Sequence, residues 1–146
     1  MLGTNRYPAA YVQAARDEIA ANIRAYRDLV AAASKASGMS LTRIDAALSA
    51  FEPAFFNNLL IALEMRFVHR LRGQEGKDGN PLNEVRMLAA SLMDNDGVLA
   101  ENKSIRYDPS KAVLRIDIGE RIHLNADDFE ALCTMFLHEI ETRFAE

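Results

Sequence analysis

The spacing of apolar residues changes twice along this chain of 146 residues, and the change limits the folds it can adopt. Up to Asp94 the apolar residues recur every three or four positions, which indicates helices with one buried face. From Ser104 they alternate with polar residues, as in strands, and after Asn125 the helical spacing returns. The pattern predicts three helices, a β-rich segment and a final helix.

Residues that start or stop helices set the predicted bounds of the first two helices. Pro8 suits the first position of a helix, and Gly38 suits the position after its end. The run Thr42–Asp45 resembles a capping box and predicts the start of the second helix. Pro53 lacks a backbone donor, so we expect a kink or restart there and then helix to Gly73. This second half is apolar around most of its circumference, which predicts a central position in the fold.

The third and last helices have clearer starts. Asn80 can cap the third helix and Pro81 can open it, with its end at Asp94. Asn125 can cap the last helix. The last helix carries the strongest apolar stripe of the chain, formed by Phe129, Leu132, Cys133, Phe136, Leu137, Ile140 and Phe144.

Alternation of apolar and polar residues predicts three strands that end at Leu124. The run Asp108–Lys111 has the residues of a type I turn, and Gly119 marks a second turn. Because paired residues share one face of a sheet, we expect Ile116 to lie opposite Ile122 or Leu124. The strands would form an antiparallel meander whose apolar face is covered by the last helix.

These elements predict a single α+β domain over residues 1–146. Its order is helix, kinked helix, helix, three-stranded antiparallel meander and C-terminal helix. The alternative is a four-helix bundle with the meander as a side hairpin. A chain of 16.3 kDa buries roughly two-thirds of its surface on folding, so it can form a core without disulfides.

Composition and charge exclude several classes of protein. The chain has 17 Lys and Arg against 21 Asp and Glu, so it lacks the basic excess of a nonspecific nucleic-acid binder. No apolar run approaches the roughly 18–20 residues that a bilayer requires. The single cysteine, Cys133, suits a reducing compartment, and the first residues lack a signal pattern. We expect a cytoplasmic protein that binds neither nucleic acid nor membrane.

Motifs of catalysis and metal binding are missing from the sequence. Histidines one helical turn apart, a G-x-S-x-G elbow and the Gly-rich phosphate loops are all absent. His138 and Glu141 are better explained as an exposed helical pair than as half of a metal site. We expect no metal and no cofactor, and the sequence leaves open whether the protein is an enzyme.

One region concentrates charged and amide side chains around the central helix and the loop that follows it. Glu64 and Arg70 fall among apolar positions and need partners, because an unpaired buried charge is costly. The glycine-containing loop before the third helix offers free backbone N–H groups beside Lys77, an arrangement that can hold an anion. The candidate ligand site comprises Glu64, Arg66, His69, Arg70, Lys77, Asp78, Asn80, Asn83 and Arg86.

The same residues also have a purely structural explanation. Glu64 and Arg70 can pair with Glu84 and Arg86 to lock two helices together, and the loop can be only a turn before a helix cap. Two functions therefore remain open. The first is a self-associating interaction or structural module, most simply a homodimer. The second is a small-ligand or anion-binding protein, with or without catalytic activity, that uses the candidate site.

Overall fold

The computed structural model describes residues 3–35 and 40–146, and this part of the chain is helical. Its helices are, in chain order, α1 (Ala9–Ser34), α2 (Ser40–Arg66), α3 (Arg72–Glu75), α4 (Pro81–Asp94) and α5 (Ala126–Arg143). The predicted starts of three helices are confirmed. Pro8 precedes α1, and the side chains of Asn80 and Asn125 cap α4 and α5. Gly38, the predicted end of the first helix, lies outside the described residues.

The predicted three-stranded meander is wrong. Residues 95–125 are an irregular connection without a strand, in which Val98 and Arg121 form one isolated antiparallel bridge. The turn at Asp108 is present, but the expected pairing of Ile116 with Ile122 or Leu124 has no sheet in which to occur. The α+β class is therefore corrected to an all-helical one, and the alternative helical bundle fits, with an irregular connection in place of the side hairpin.

Alternation failed as a strand signal because it records only which side chains face the core. Ile116 and Ile122 are buried, whereas Arg115 and Arg121 are exposed, as the pattern requires. Arg115 has a positive φ of 56°, which interrupts the extended backbone that a strand needs. An apolar residue at every second position thus covers the helices without pairing with another strand.

Polar side chains on α2 and α4 satisfy the backbone of this connection in place of a sheet. Buried backbone groups need hydrogen-bond partners wherever the chain lacks regular structure. In chain order these bonds are from Ala100 N to Ser91 Oγ, from Val113 N and Leu114 N to Glu84, from Asn57 Nδ2 to the Ile122 carbonyl, from Leu124 N to Asn57 Oδ1, and from Ala126 N to Glu52 Oε2.

The core lies between α2, α4 and α5, and α1 packs across α2 and α5. Phe56 and Phe129 meet at a ring separation of 5.4 Å, and Tyr26 of α1 joins them from the side, 5.0 Å from Phe56. The apolar stripe predicted for α5 is confirmed, since all its members are buried. Four long helices therefore share one apolar core.

Helix α2 differs from its predicted form in three respects. Its described part begins at Ser40, before Thr42. The helix continues through Pro53 without a restart, and the alternative expectation of a kink there stays a prediction. It ends at Arg66, because the chain turns over residues 67–69 and becomes extended at Leu71. It is also not enclosed on all sides, since its outer face is exposed to solvent.

By length and composition alone, residues Arg43–Arg66 of α2 are apolar enough to cross a membrane. An 18-residue stretch within them has a mean hydropathy of 1.3, and 17% of that stretch is buried within the fold. The argument from uninterrupted apolar runs did not find this helix, because polar residues such as Glu52 and Asn57 divide it. Asn57 bonds the backbone of the 95–125 connection, and Glu52 accepts from the N–H of Ala126, the first residue of α5.

Candidate functional site

The structure brings together part of the predicted ligand site. Glu64, Arg70, Asn80, Asn83 and Arg86 meet where α2, α3 and α4 converge. The other predicted members, Arg66, His69, Lys77 and Asp78, lie outside this charge network. Glu75, which the sequence argument did not single out, stands at the centre of the network.

Arg70 is buried and bonded in several directions. Its two terminal nitrogens hold both oxygens of Glu64, at 3.0 and 2.7 Å. The same nitrogens donate to the carbonyls of Phe67 and Leu82, at 3.1 and 3.0 Å. Its guanidinium lies 5.4 Å from the centre of the Phe136 ring, a favourable position for a cation. Arg70 thereby joins the end of α2 to the start of α4 and to α5.

Glu75, at the end of the short helix α3, is fully buried and faces two arginines. Arg86 donates from Nε and Nη2 at 3.0 and 2.7 Å, and Asn83 donates at 2.8 Å. Arg70 Nε lies 2.6 Å from Glu75 Oε1, a charge contact in which the N–H direction does not give a hydrogen bond. Burial acts to raise the pKa of Glu75, but Arg86, Arg70 and Asn83 outweigh burial and hold the pKa below its usual value.

This network differs from the structural pairing that the sequence suggested. Arg86 pairs with Glu75, and Arg70, which lies between α2 and α3, is held to α2 by Glu64 and to α3 by Glu75. Two arginines thus balance two carboxylates. Glu64, Arg70 and Glu75 are all buried, so their charges interact with one another and are not accessible from solvent.

The backbone amides predicted to hold an anion are bonded within the chain. Asn80 Oδ1 accepts from the N–H groups of Leu82 and Asn83, at 2.9 and 3.2 Å, and the Asn80 carbonyl accepts from Glu84. Asn83 Oδ1 accepts from Gly79 N at 2.9 Å. A helix start whose amides are already satisfied has little left to give an anion.

The remaining predicted site residues lie at the surface or pair elsewhere. Arg66 pairs with Glu18 of α1, and His69 is exposed. Lys77 is also exposed. Asp78 accepts a bond of 2.7 Å from Asn80, which lowers the pKa of the Asp78 carboxyl. These four side chains therefore do not form a common ligand site.

A third buried carboxylate, Glu84, is not balanced by an arginine of the described chain. Its oxygens accept the N–H groups of Val113 and Leu114, at 2.8 and 2.9 Å. Among the described residues no cation forms an ion pair with it, and burial raises its pKa despite those two bonds. Glu84 therefore acts as an anchor for the 95–125 connection.

Sequence reasoning missed Glu75 and assigned Glu84 the wrong role. The signal for Glu75 was the need for a second carboxylate to balance both Arg70 and Arg86. The described residues contain no cluster of three or more His, Cys, Asp or Glu side chains able to hold a metal.

The outer face of α2 is the other candidate for function. Its side chains are exposed or half-buried and lie opposite the buried Phe56 and Leu60. Phe51 is 44% exposed and Met65 is 55% exposed, and both lie on this one face. We define the outer face as Ile44, Ala47, Phe51, Ala54, Asn58, Ile61 and Met65.

Comparisons with known proteins found no match. No family model matches the sequence, and neither a curated protein nor a solved structure resembles it. The argument for function therefore rests on the geometry of this chain.

Proposed function

We propose that this protein is a self-associating structural module that forms a homodimer. The observation that carries the proposal is the outer face of α2, a mainly apolar stripe whose side chains stay exposed or half-buried in the described chain. Phe51 stacks on Tyr26 of α1 at one edge of this stripe and is still 44% exposed. Exposed apolar surface of this kind marks interaction sites on folded proteins. Symmetric dimers are the commonest assemblies of soluble chains.

The accessible surface supports the same conclusion. The chain exposes 8467 Å², whereas a folded monomer of 16.3 kDa should expose about 7,500 Å². The excess of about 1,000 Å² exceeds the roughly 800 Å² that each partner loses in a standard interface. A dimer would bring the surface of each copy back to the value expected for its mass.

The alternative function, a small-ligand or anion site at the Glu64–Arg86 region, stays a prediction without a specific observation in its favour. Its central charges are paired with one another, and its amides are bonded to Asn80 and Asn83. A cytoplasmic location belongs to the proposal as well, since a single buried cysteine suits a reducing compartment.

Native mass spectrometry and light scattering after size exclusion test the proposal directly. A homodimer gives twice the chain mass of 16.3 kDa at micromolar concentration and dissociates on dilution. A mass of 16.3 kDa at every concentration up to the solubility limit would contradict self-association. An added mass that denaturation removes would instead favour the ligand-binding alternative.

A further inference from the structure

We propose that two copies of this chain associate through their α2 helices, which pair in parallel along the outer face with the two Asn58 side chains against each other. This inference rests on the proposed homodimer and specifies its interface. The juxtaposition that carries it is an exposed heptad stripe on a helix whose opposite face is already buried in the fold.

The residues of the outer face are spaced alternately three and four apart over three heptads, from Ile44 to Met65. That spacing is the seam of a two-stranded coiled coil, with apolar residues at the a and d positions. The a positions are Ile44, Phe51, Asn58 and Met65, and the d positions are Ala47, Ala54 and Ile61. A stripe of this length extends for about 32 Å along the helix.

The sides of the stripe favour close approach of a second helix. Ala50 and Ala62 flank it and are exposed, whereas the larger flanking residues Leu48 and Phe55 are half-buried. Pro53 lies inside α2 but off the seam, so its ring does not interrupt the contact. Because the buried face of α2 lies on the opposite side, pairing requires no rearrangement of the core.

Asn58 decides the orientation of the pair. It is the polar residue of the stripe, and it is exposed. In a parallel pair in register it meets the Asn58 of the second copy, and each amide gives and receives a hydrogen bond. An antiparallel pair centred on Asn58 also joins the two amides, but it leaves Ile44 and Ala47 beyond the end of the partner helix at Arg66. Of the two arrangements that join the Asn58 amides, the parallel one covers the whole stripe.

Disulfide trapping tests the orientation. In the parallel pair, the residues at position 58 face each other across the two-fold axis, within the range a disulfide can span. Asn58→Cys should therefore form a covalent dimer under mild oxidation, whereas Met93→Cys, at an exposed position of α4, should not. The native Cys133 is buried and gives no background.

Charge substitution tests the surface. Phe51→Glu should weaken dimerisation by at least about 30-fold, the effect of losing an interface anchor, and shift the mass towards 16.3 kDa. Met93→Glu, which alters an equally exposed side chain on another helix, should leave the dimer unchanged. Helicity measured by circular dichroism should be the same in both variants, because both positions are exposed.

The outcomes separate this inference from the proposed function. A dimer that resists Phe51→Glu overturns the interface and leaves homodimerisation standing. A dimer that Phe51→Glu breaks, but that Asn58→Cys does not trap, overturns the parallel register. A chain that is monomeric and binds phosphatidylcholine–phosphatidylglycerol vesicles, with binding lost in Phe51→Glu, overturns both and assigns the face to a membrane.

Discussion

Replacing Glu75 by Gln should destabilise the fold by about 3–5 kcal/mol, the usual cost of breaking a buried ion pair from one side. Gln has nearly the same shape and keeps an acceptor for Asn83, so the change removes mainly the charge. Two buried or half-buried guanidinium groups, of Arg70 and Arg86, would then share the single carboxylate of Glu64.

The magnitude follows from the distances around Glu75. Its contacts with Arg70 and Arg86 are 2.6 and 2.7 Å. At an effective dielectric constant of about 20, a charge pair at such a distance attracts by roughly 6 kcal/mol. Part of the loss of this attraction is offset because the variant no longer has to desolvate a carboxylate on folding. The net loss of about 3–5 kcal/mol remains a large fraction of the stability of an ordinary domain.

Urea unfolding followed by circular dichroism measures this loss. Wild type and variant are compared at one protein concentration, because a dimer gains apparent stability with concentration. The matched control is Glu141→Gln, which removes a carboxylate from the exposed pair with Arg16 and should cost under about 1 kcal/mol. If Glu75→Gln costs no more than Glu141→Gln, the buried network does not hold the helices together.

The pH dependence adds an independent check on Glu75. The pKa of Glu75 in the folded protein lies below its usual value. Its contribution to stability is therefore complete above the usual value and is lost as the pH falls through the lowered one. The stability gap between wild type and Glu75→Gln should narrow in acid, and a gap that stays constant there would contradict the assignment.

Further predictions concern the connection and the helix caps. The pH dependence of stability due to Glu84 should be opposite to that due to Glu75. The pKa of Glu84 is raised in the folded protein, so Glu84 favours the folded state at low pH. This contribution is lost as the pH rises through the raised pKa. The stability of wild type relative to Glu84→Gln, measured by urea unfolding at a series of pH values, should therefore fall as the pH rises above the usual pKa of a glutamate. Asn80→Ala, which removes the cap of α4, should cost about 1 kcal/mol, measured in the same way. Asn57→Ala leaves the Ile122 carbonyl and the Leu124 N–H without this partner and should speed amide exchange in the 95–125 connection, with little change in α1.

The starts of α1, α4 and α5 were predictable because their signals are local. Pro8, Asn80 and Asn125 act on backbone groups within a few residues, so the sequence near each helix contains the needed information. The meander was not predictable in this way. Its alternating pattern agrees with the burial of Ile116 and Ile122 but not with Ile118, which is 46% exposed. The partners of its backbone are side chains such as Glu84 and Asn57, far away in the sequence.

The candidate site shows the same division between local and distant information. Glu64 and Arg70 stood out because charges among apolar helical positions require partners. The identity of those partners depended on where the chain turns, and α2 ends at Arg66 rather than at Gly73. The early end leaves room for α3, and α3 brings Glu75 against Arg70 and Arg86. An error of one helix boundary thus hid the central residue of the network.

The prediction that α2 is enclosed by its own fold was wrong, and the exposed face of this helix is the basis of the proposed function. An apolar circumference predicted a helix enclosed by its own fold, yet the fold buries Phe56 and Leu60 and leaves Phe51 and Met65 exposed. The prediction assumed that a single chain must cover every apolar face it makes. If a second copy of α2 covers the outer face, the sequence pattern was right about burial and wrong only about which molecule provides it.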